Sequence, residues 1–594
     1  MRNYIILNGN NSNEIAGLLI QKLPPISQPE IRTNIEEIDG RDGDIITKLG
    51  YSAYNKEISI GLYGNYNVDD VIAYFTNNQN GQITFSNEPD KYYNYEILEQ
   101  IDFERLIRYR TATITLHCQP FKYSTTEEKI QINATEVSGS GSSINLQNTE
   151  DGALFTNLQI NGDTSQDGTP TPSNPVNVDV VTGDNTIITS NKNLCYKAEL
   201  QGTQNIRFYF RKVTQKNIVC SFTVNEALNN NSLYLIVDGT GYGIISFLTV
   251  SANTKAIVTI TLTDAQIAAI QGGTEMWFLL YKNGASFVVP DDAQIELGST
   301  ATNYVEHEEQ DYTISLGTTE LCKIGDYQDK IYKNNGKWYL HKETKKIVLD
   351  GTQSSSSVNT SSTNTTRVQY NHYADGGAGY SGYSNLLTFQ RNWSADIEGF
   401  CFDTSNGGFW IRINKATIGT TASQVNTYLS NNNLICYIPL ATPTETEITD
   451  TTLLSQLEAL EGATTYLGET NINTSGSDLS PLLDVTTYSV DNPSFTITNS
   501  GNIYSKPIIT IYGLGTVGLY LNGIQVLSLD MGSTTSQITI DVAKLEAYNQ
   551  ETGALMNRNV TGDYNNLVLN VGENTITESG TLQGLEVENY SRWL

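Results

Sequence analysis

The chain has two ends of one kind and a long middle of another, and this division constrains its fold more than any other feature. Residues 1–123 and 494–594 carry strand patterns in which acidic and basic side chains are mixed. The middle is rich in Thr, Ser, Asn and Gly, and it opens with SGSGSS at residues 138–143. Runs of Gly and Ser are typical of flexible linkers. The sequence therefore predicts a scaffold formed by the two ends and a cargo inserted into it.

Composition indicates a mostly β protein with several domains. At 594 residues the chain is longer than one hydrophobic core can organise. Its 48 Gly and 35 Tyr, together with abundant Thr and Asn, favour short strands joined by turns over helices.

The charge excludes two classes of partner. The chain has 35 Lys and Arg against 64 Asp and Glu, a net charge of −29. Nucleic acids and anionic membranes both require a cationic face, so we expect neither specific nucleic-acid binding nor membrane attachment. No apolar run is long enough to span a bilayer, and the apolar stretch at residues 4–7 is too short for a signal peptide. We therefore expect synthesis in a cytoplasm without export by a signal peptide.

The six cysteines lie far apart in the sequence, which excludes a C-x-x-C zinc or redox motif. Most of them sit in apolar, strand-like surroundings, and this pattern predicts buried free thiols. They are Cys118, Cys195, Cys220, Cys322, Cys401 and Cys436.

Local signals predict several elements. Residues 68–77 have helical spacing, with Asn67 as the N-cap and with Ile72 and Phe75 on one face. Strands at 31–38 and 45–49 flank a glycine turn at residues 39–44, and Asn522-Gly523 has the composition of a type I′ hairpin turn. Residues 451–460 read as a short helix, and residues 353–366, nearly all Ser, Thr and Asn, predict a mobile loop.

Three segments carry a family resemblance. They are IDGRDG at residues 38–43, RTATITLHCQPFKY at 110–123, and NSGNIYSKP at 499–507 followed by GDY at 562–564 and GEN at 572–574. The terminal segments resemble distal tail proteins (Dit) of long-tailed phages that infect Gram-positive bacteria. Asp39 stands where the family pattern suggests proline, and aspartate also suits a turn.

The resemblance implies a hexameric ring at the end of the tail tube, in the virion, with an N-terminal belt domain and a galectin-like second domain. It also implies contact with the tail tube protein and with a tail-associated lysin, tail fibre or receptor-binding protein. Long alternating strands are compatible with a ring, because pairing between subunits removes exposed edges; an ordinary sandwich with capped edges is the alternative.

The middle resembles inserts of evolved Dit proteins and other phage adhesion proteins. WFLLY at residues 277–281 and AQIELG at 293–298 are similar to the end of a jelly-roll carbohydrate-binding module, and DYQDKIY at 326–332 with WYLHKE at 338–343 is similar to a segment of phage minor structural proteins. The predicted domains are a belt domain at residues 1–123, a galectin-like domain at 124–133 plus 484–594, an inserted β domain at 134–192 plus 305–483, and a nested jelly-roll-like module at 193–304.

Candidate saccharide-binding residues are aromatic side chains flanked by polar groups, because sugars stack on aromatic faces and their hydroxyls need hydrogen-bond partners. A Gly- and Tyr-rich stretch at residues 370–383 supplies most of them. Trp277 lies between apolar neighbours and is interpreted as core. The alternative for every tyrosine is packing against its own domain. The candidates are Tyr370, Tyr373, Asp375, Tyr380, Tyr383, Trp393, Trp410, Phe208 and Tyr209.

Metal binding and catalysis find little support in the sequence. Asp291 and Asp292 are candidate ligands for a structural calcium, although no EF-hand spacing surrounds them. The four histidines lack zinc spacing, and no nucleophile elbow or phosphate-binding loop is present. We expect no cofactor and no enzymatic activity.

The sequence thus predicts a structural hub of a phage tail tip whose inserted modules bind saccharide on the host cell wall. A purely architectural hub with a spacer insert is one alternative, and a tail-borne polysaccharide depolymerase is another. A free bacterial adhesin is a third, against which the absence of a signal and a wall anchor counts.

Overall fold

The computed structural model describes residues 2–106, 109–202, 204–281, 287–370, 381–391, 395–403, 408–489, 494–532 and 536–594. It is mostly β, as predicted. Two compact units divide the chain: residues Met1–Ala134 with Val490–Leu594, and residues Thr135–Ser489. The finer domain boundaries predicted from the sequence stay a prediction.

The first unit begins with a nine-stranded antiparallel sheet. Its main path runs Asn10–Asn11, Ile5–Leu7, Asn80–Phe85, Lys91–Glu96, Arg110–Ser124, Tyr54–Leu62 and Leu18–Lys22, and Glu104–Arg105 and Arg592–Trp593 also pair with Arg110–Ser124. A short 3₁₀ turn occupies Ser12–Glu14.

The helix Val68–Thr76 covers this sheet, and the predicted cap is confirmed because the Asn67 side chain accepts a hydrogen bond from the Asp69 amide at 3.0 Å. The predicted face was wrong in one residue. Val71, Tyr74 and Phe75 are buried, whereas Ile72 is exposed.

The predicted hairpin is present as Ile31–Glu36 and Ile45–Tyr51, which pair only with each other among the described strands. Ile35 lies directly opposite Ile46, and both side chains are exposed. We call this element the exposed hairpin.

The rest of the first unit is an eight-stranded sheet system around its own apolar core. Glu128–Asn133, Gly572–Asn589, Ile508–Leu521, Ile524–Asp530 and Val560–Gly562 form its path, with Ser494–Asn499, Ser536–Asp541 and Glu546–Tyr548 alongside and 3₁₀ turns at Asn557–Asn559 and Tyr564–Asn566. Asn522 and Gly523 both have positive φ, 52° and 80°, which confirms the predicted I′ turn.

The second unit is built on three larger sheets outside the nested module. The first contains Thr135–Gly141, Leu482–Ser489, Asn157–Asn161, Lys330–Asn334, Lys337–Leu349, Leu434–Glu447 and Tyr383–Ser384; the second Ser143–Gln147, Glu469–Ser475, Asp184–Ser190 and Glu309–Ser315; the third Ser357–Asn359, Thr365–Tyr370, Gly408–Asn414 and Gly399–Asp403. Two small pairs are Thr164–Gln166 with Val178–Val180 and Lys323–Ile324 with Tyr327–Gln328, and the helices are Lys415–Ile418, Ala422–Asn431 and Thr451–Glu461.

Two predictions of flexible segments were wrong. The run 138–143 is not a free linker, because Ser138, Gly139 and Ser140 belong to the strand Thr135–Gly141, which pairs along its length with Leu482–Ser489. The segment 353–366 contains the strand Ser357–Asn359 and the start of Thr365–Tyr370. In both cases partners distant in sequence supply the ladder that composition alone does not reveal.

The nested module is a two-sheet sandwich. A five-stranded sheet runs Cys195–Gln201, Asn205–Phe210, Met276–Tyr281, Leu228–Val237 and Thr240–Val250, and a three-stranded sheet runs Thr254–Thr261, Asn217–Val224 and Gln294–Leu297. The helix Asp264–Gly272 begins with a capping box between Thr263 and Gln266. Phe208, Phe222 and Phe278 lie in the core between the sheets.

The six cysteines are buried free thiols, as predicted. Within the described residues, no helix combines the length and the apolar character needed to cross a bilayer.

Candidate functional site

The five-stranded sheet of the nested module has a face turned away from the core. Along each strand alternate residues point to opposite sides, so Phe208, Phe278 and Leu235 enter the core while Tyr209, Trp277 and Tyr234 point outward. We call the outward side, carrying Tyr209, Tyr234, Phe247, Trp277 and Tyr281, the aromatic face.

Strand register arranges this face in rows, because directly paired residues of antiparallel strands lie on one side. Tyr209 pairs with Trp277, and Tyr281 pairs with Ser232, which in turn pairs with Phe247. The face therefore spans the sheet from its second strand to its edge.

One end of the aromatic face is organised by charges. The guanidinium of Arg207 lies 5.0 Å from the Trp277 ring and donates to the Tyr209 hydroxyl at 3.1 Å. That hydroxyl donates to Glu199 Oε1 at 2.7 Å, and Lys197 lies 2.6 Å from the other carboxylate oxygen. These contacts fix the orientation of an aromatic pair whose centroids are 5.4 Å apart.

Two pKa shifts follow from this network. Hydrogen bonds from Lys197 and Tyr209 hold the pKa of Glu199 below its usual range. Burial, and the bond to Glu199, raise the pKa of Tyr209. Near neutral pH the site therefore holds a carboxylate and a neutral phenol, and these groups suit recognition of sugar hydroxyls.

The other end of the aromatic face is open and apolar. Phe247 is 58% exposed, and Tyr281 and Ile244 are exposed as well. Contiguous exposed apolar groups beside polar ones are typical of a binding surface. The arrangement can stack a flat ligand at Phe247 and Tyr281.

Sequence reasoning missed Tyr234, Phe247 and Tyr281. The available signal was the alternation in residues 276–281, which puts Trp277 and Tyr281 on one side and Phe278 on the other. Trp277 is only 8% exposed, yet Tyr209 and Arg207 bury it on the aromatic face, so the interpretation of Trp277 as core was wrong.

The predicted site residues fall in different places. Phe208 and Tyr370 are fully buried in two separate cores, so neither presents a face to a ligand. Tyr209 lies on the aromatic face, whereas Tyr383 and Trp410 are half-buried in other sheets. The predictions for Tyr373, Asp375, Tyr380 and Trp393 lie outside the described residues. The structure therefore brings together only part of the predicted set.

The two candidate calcium ligands have different surroundings. Asp292 accepts hydrogen bonds from the Thr223 amide at 2.7 Å and from its hydroxyl at 2.6 Å. Asp291 borders a cleft of about 220 Å³ with Tyr304 and Glu306. In the described part of the chain, no three His, Cys, Asp or Glu side chains gather as a metal site. Asp292 thus fastens a strand of the three-stranded sheet.

Comparison with known families gives the decisive observation for the N-terminal region. Residues 11–118 match the phage tail protein RIFT-related domain. This segment is a phage tail protein domain. The predicted resemblance to siphophage tail proteins is confirmed there, and the match does not extend into the inserted residues.

Solved structures give weak similarities. The Dit protein of phage SPP1, described as a paradigm of the hub adsorption apparatus in phages that infect Gram-positive bacteria, is 15% identical, with a TM-score of 0.19 over 50% of this chain and 100% of that one. A chain of the phage p2 baseplate in its activated conformation is 9% identical, with a TM-score of 0.16 over 51% and 99%. Scores this low establish no shared arrangement. A comparison with curated proteins finds no match.

Proposed function

We propose that the protein is a distal tail hub of a siphophage and that its inserted unit binds saccharide on the host cell wall. The phage tail domain at residues 11–118 carries the first part of the proposal. The aromatic face, with its fixed carboxylate and guanidinium, supports the second part. The hub works without catalysis, in the virion, between the tail tube protein and a tail-associated lysin, fibre or receptor-binding protein.

The exposed hairpin supports assembly into a hexameric ring. A two-stranded sheet is marginally stable alone, and Ile35 and Ile46 leave apolar surface in water. Packing against a second copy of the chain buries both side chains, and repetition of such a head-to-tail contact closes a ring.

The ring is tested by measuring the mass of the full chain in solution by light scattering. We expect a hexamer for the wild type and a monomer for the double variant Ile35→Asp with Ile46→Asp. Ile524→Asp, at an exposed position beside the I′ turn, is the matched control and should leave the mass unchanged. A wild-type monomer at all concentrations overturns this part of the proposal.

Saccharide binding is tested with the full chain and purified cell-wall polysaccharides from Gram-positive bacteria. Replacing Phe247 and Tyr281 by Ala removes the open stacking surface, and we expect affinity to fall about tenfold or more. Ile257, 59% exposed on the other sheet of the same module, provides the control Ile257→Ala. Equal binding by both variants contradicts a site on the aromatic face.

Two outcomes separate the alternatives. Failure of the wild-type chain to bind any wall polysaccharide favours an architectural hub with a spacer insert. Release of new reducing ends from a bound polysaccharide favours a depolymerase, and we expect none.

A further inference from the structure

A second polar face lies in the inserted unit, on the four-stranded sheet that contains Thr365–Tyr370 and Gly408–Asn414. Register pairs Arg367 with Arg412 and Gln369 with Trp410. Their neighbours in sequence, among them Val368 and Ile411, enter the apolar core. The four paired side chains therefore share the opposite side of the sheet, which we call the arginine face.

The arginine pair is electrostatically unfavourable as it stands. Like charges directly opposite each other on neighbouring strands repel. Arg412 is only 8% exposed, so solvent screens this repulsion poorly. Burial, reinforced by the charge of Arg367, lowers the pKa of the Arg412 guanidinium. A fixed buried cation beside a second cation is stabilised when an anion lies between them.

The described residues do not supply that anion to Arg412. Its printed bond is from Nη1 to the Ser362 hydroxyl at 3.1 Å, and its Nε is buried without an acceptor. Asp396 is a neighbouring carboxylate, but it accepts four hydrogen bonds from Asn364 and Thr365, at 2.6 to 3.1 Å. Asp396 is thus engaged in holding the adjoining loop and forms no ion pair with Arg412 in this part of the structure.

We propose that the arginine face binds a phosphate ester of a cell-wall glycopolymer. Two guanidinium groups present planar pairs of donors that match phosphate oxygens. Trp410, half-buried beside them, and the Gln369 amide suit the sugar or polyol that carries the phosphate. A local pair of arginines is required for this, because the net charge of −29 repels anionic polymers elsewhere.

This inference deepens the saccharide-binding part of the proposed function by naming an anionic class of ligand. Its chemistry is nevertheless testable apart from the aromatic face. Inorganic phosphate probes the arginine face alone, whereas a polymer stripped of phosphodiesters by hydrofluoric acid probes the aromatic face alone.

The experiment uses the full chain with four probes: inorganic phosphate, a phosphate-bearing wall polymer, the same polymer after phosphodiester removal, and phosphatidylglycerol vesicles. We expect saturable phosphate binding and at least about tenfold tighter binding of the intact than of the stripped polymer. Binding to vesicles but not to the intact polymer identifies a lipid head group and overturns the assignment to a glycopolymer.

Variants locate the site. Arg367→Gln and Arg412→Gln should each weaken phosphate binding about tenfold, and Arg412→Lys should restore only part of it because lysine lacks the planar fork. Lys216→Gln, at an exposed lysine of the nested module, is the control. Thermal unfolding shows which variants fold, and Arg367→Gln carries the test if Arg412→Gln does not. Unchanged phosphate affinity in a folded arginine variant overturns the proposal, and loss of binding to the stripped polymer alone counts against the aromatic face instead.

Discussion

Glu309 lies where the chain leaves the nested module, and it joins two parts of the second unit. Its carboxylate accepts from Arg211 Nε at 2.8 Å and lies 2.8 Å from His307 Nε2. Burial raises the pKa of Glu309, but the hydrogen bonds from His307 and Arg211 outweigh it and bring the pKa down to about 2. The side chain is 26% exposed, so this contact is partly shielded from solvent.

Acid should therefore weaken the second unit through Glu309. A folded-state pKa of about 2, against an ordinary value of 4.5, means that the stabilisation is complete above pH 4.5 and is lost as pH falls toward 2. The full contribution is on the order of 3 kcal/mol. Denaturant unfolding of wild type and Glu309→Gln at several pH values measures it. The difference between them should shrink from pH 6 to pH 2 (about those values), and a constant difference would show that this carboxylate is not coupled to folding.

At the scale of elements, the strand Thr135–Gly141 shows how composition can mislead. Gly139 sits in a ladder opposite Val485, and a Cβ built on it would lie 2.2 Å from Ile144 Cγ2. The glycine is needed for close packing of two neighbouring strands, and not for chain flexibility.

Gly139→Ala should thus destabilise the second unit by about 1–3 kcal/mol through overpacking. Gly272→Ala is a matched control, because a Cβ at Gly272 meets nothing within 4 Å and its φ is negative. Thermal unfolding of both variants separates the effects. If Gly139→Ala is as stable as the wild type, Ile144 moves aside at little cost and the strand is looser than the structure indicates.

The elements predictable from the sequence were those whose partners are close in the chain. Asn67 caps its helix through Asp69, and Asn522-Gly523 turns between adjacent strands. The strand at Gly139 and the orientation of Trp277 depend on residues far away, Val485 and Tyr209. Alternation alone indicated that Phe208 and Tyr209 face opposite sides, but not which side is the core. Half of the aromatic face was therefore missed.

At the scale of the whole molecule, the inserted unit starts and ends at one pair of residues. Thr135 and Ser489 are direct partners in an antiparallel ladder, so their Cα atoms lie about 5 Å apart. Each is one peptide bond from the first unit. A chain that leaves and returns at neighbouring points places little strain on the domain it interrupts.

Removal of residues 135–489, with a short Gly-Ser bridge in their place, should leave a folded first unit. We expect a cooperative thermal transition and a β-type circular dichroism spectrum from the shortened chain, which keeps the separate apolar cores of that unit. Non-cooperative melting would show that the inserted unit is required for folding of the first.

The pairing of Thr135 with Ser489 also has an evolutionary meaning. Any domain whose two termini lie one strand spacing apart can be exchanged at this position by recombination without redesign of the surrounding scaffold. The nested module repeats the arrangement at a second level, because Asn191 and Asn193 bond to Glu306, Glu308 and Val305 where the chain enters and leaves it. Two successive sockets of this kind let host range change by replacement of a whole domain, in one step, while the tail machinery stays constant.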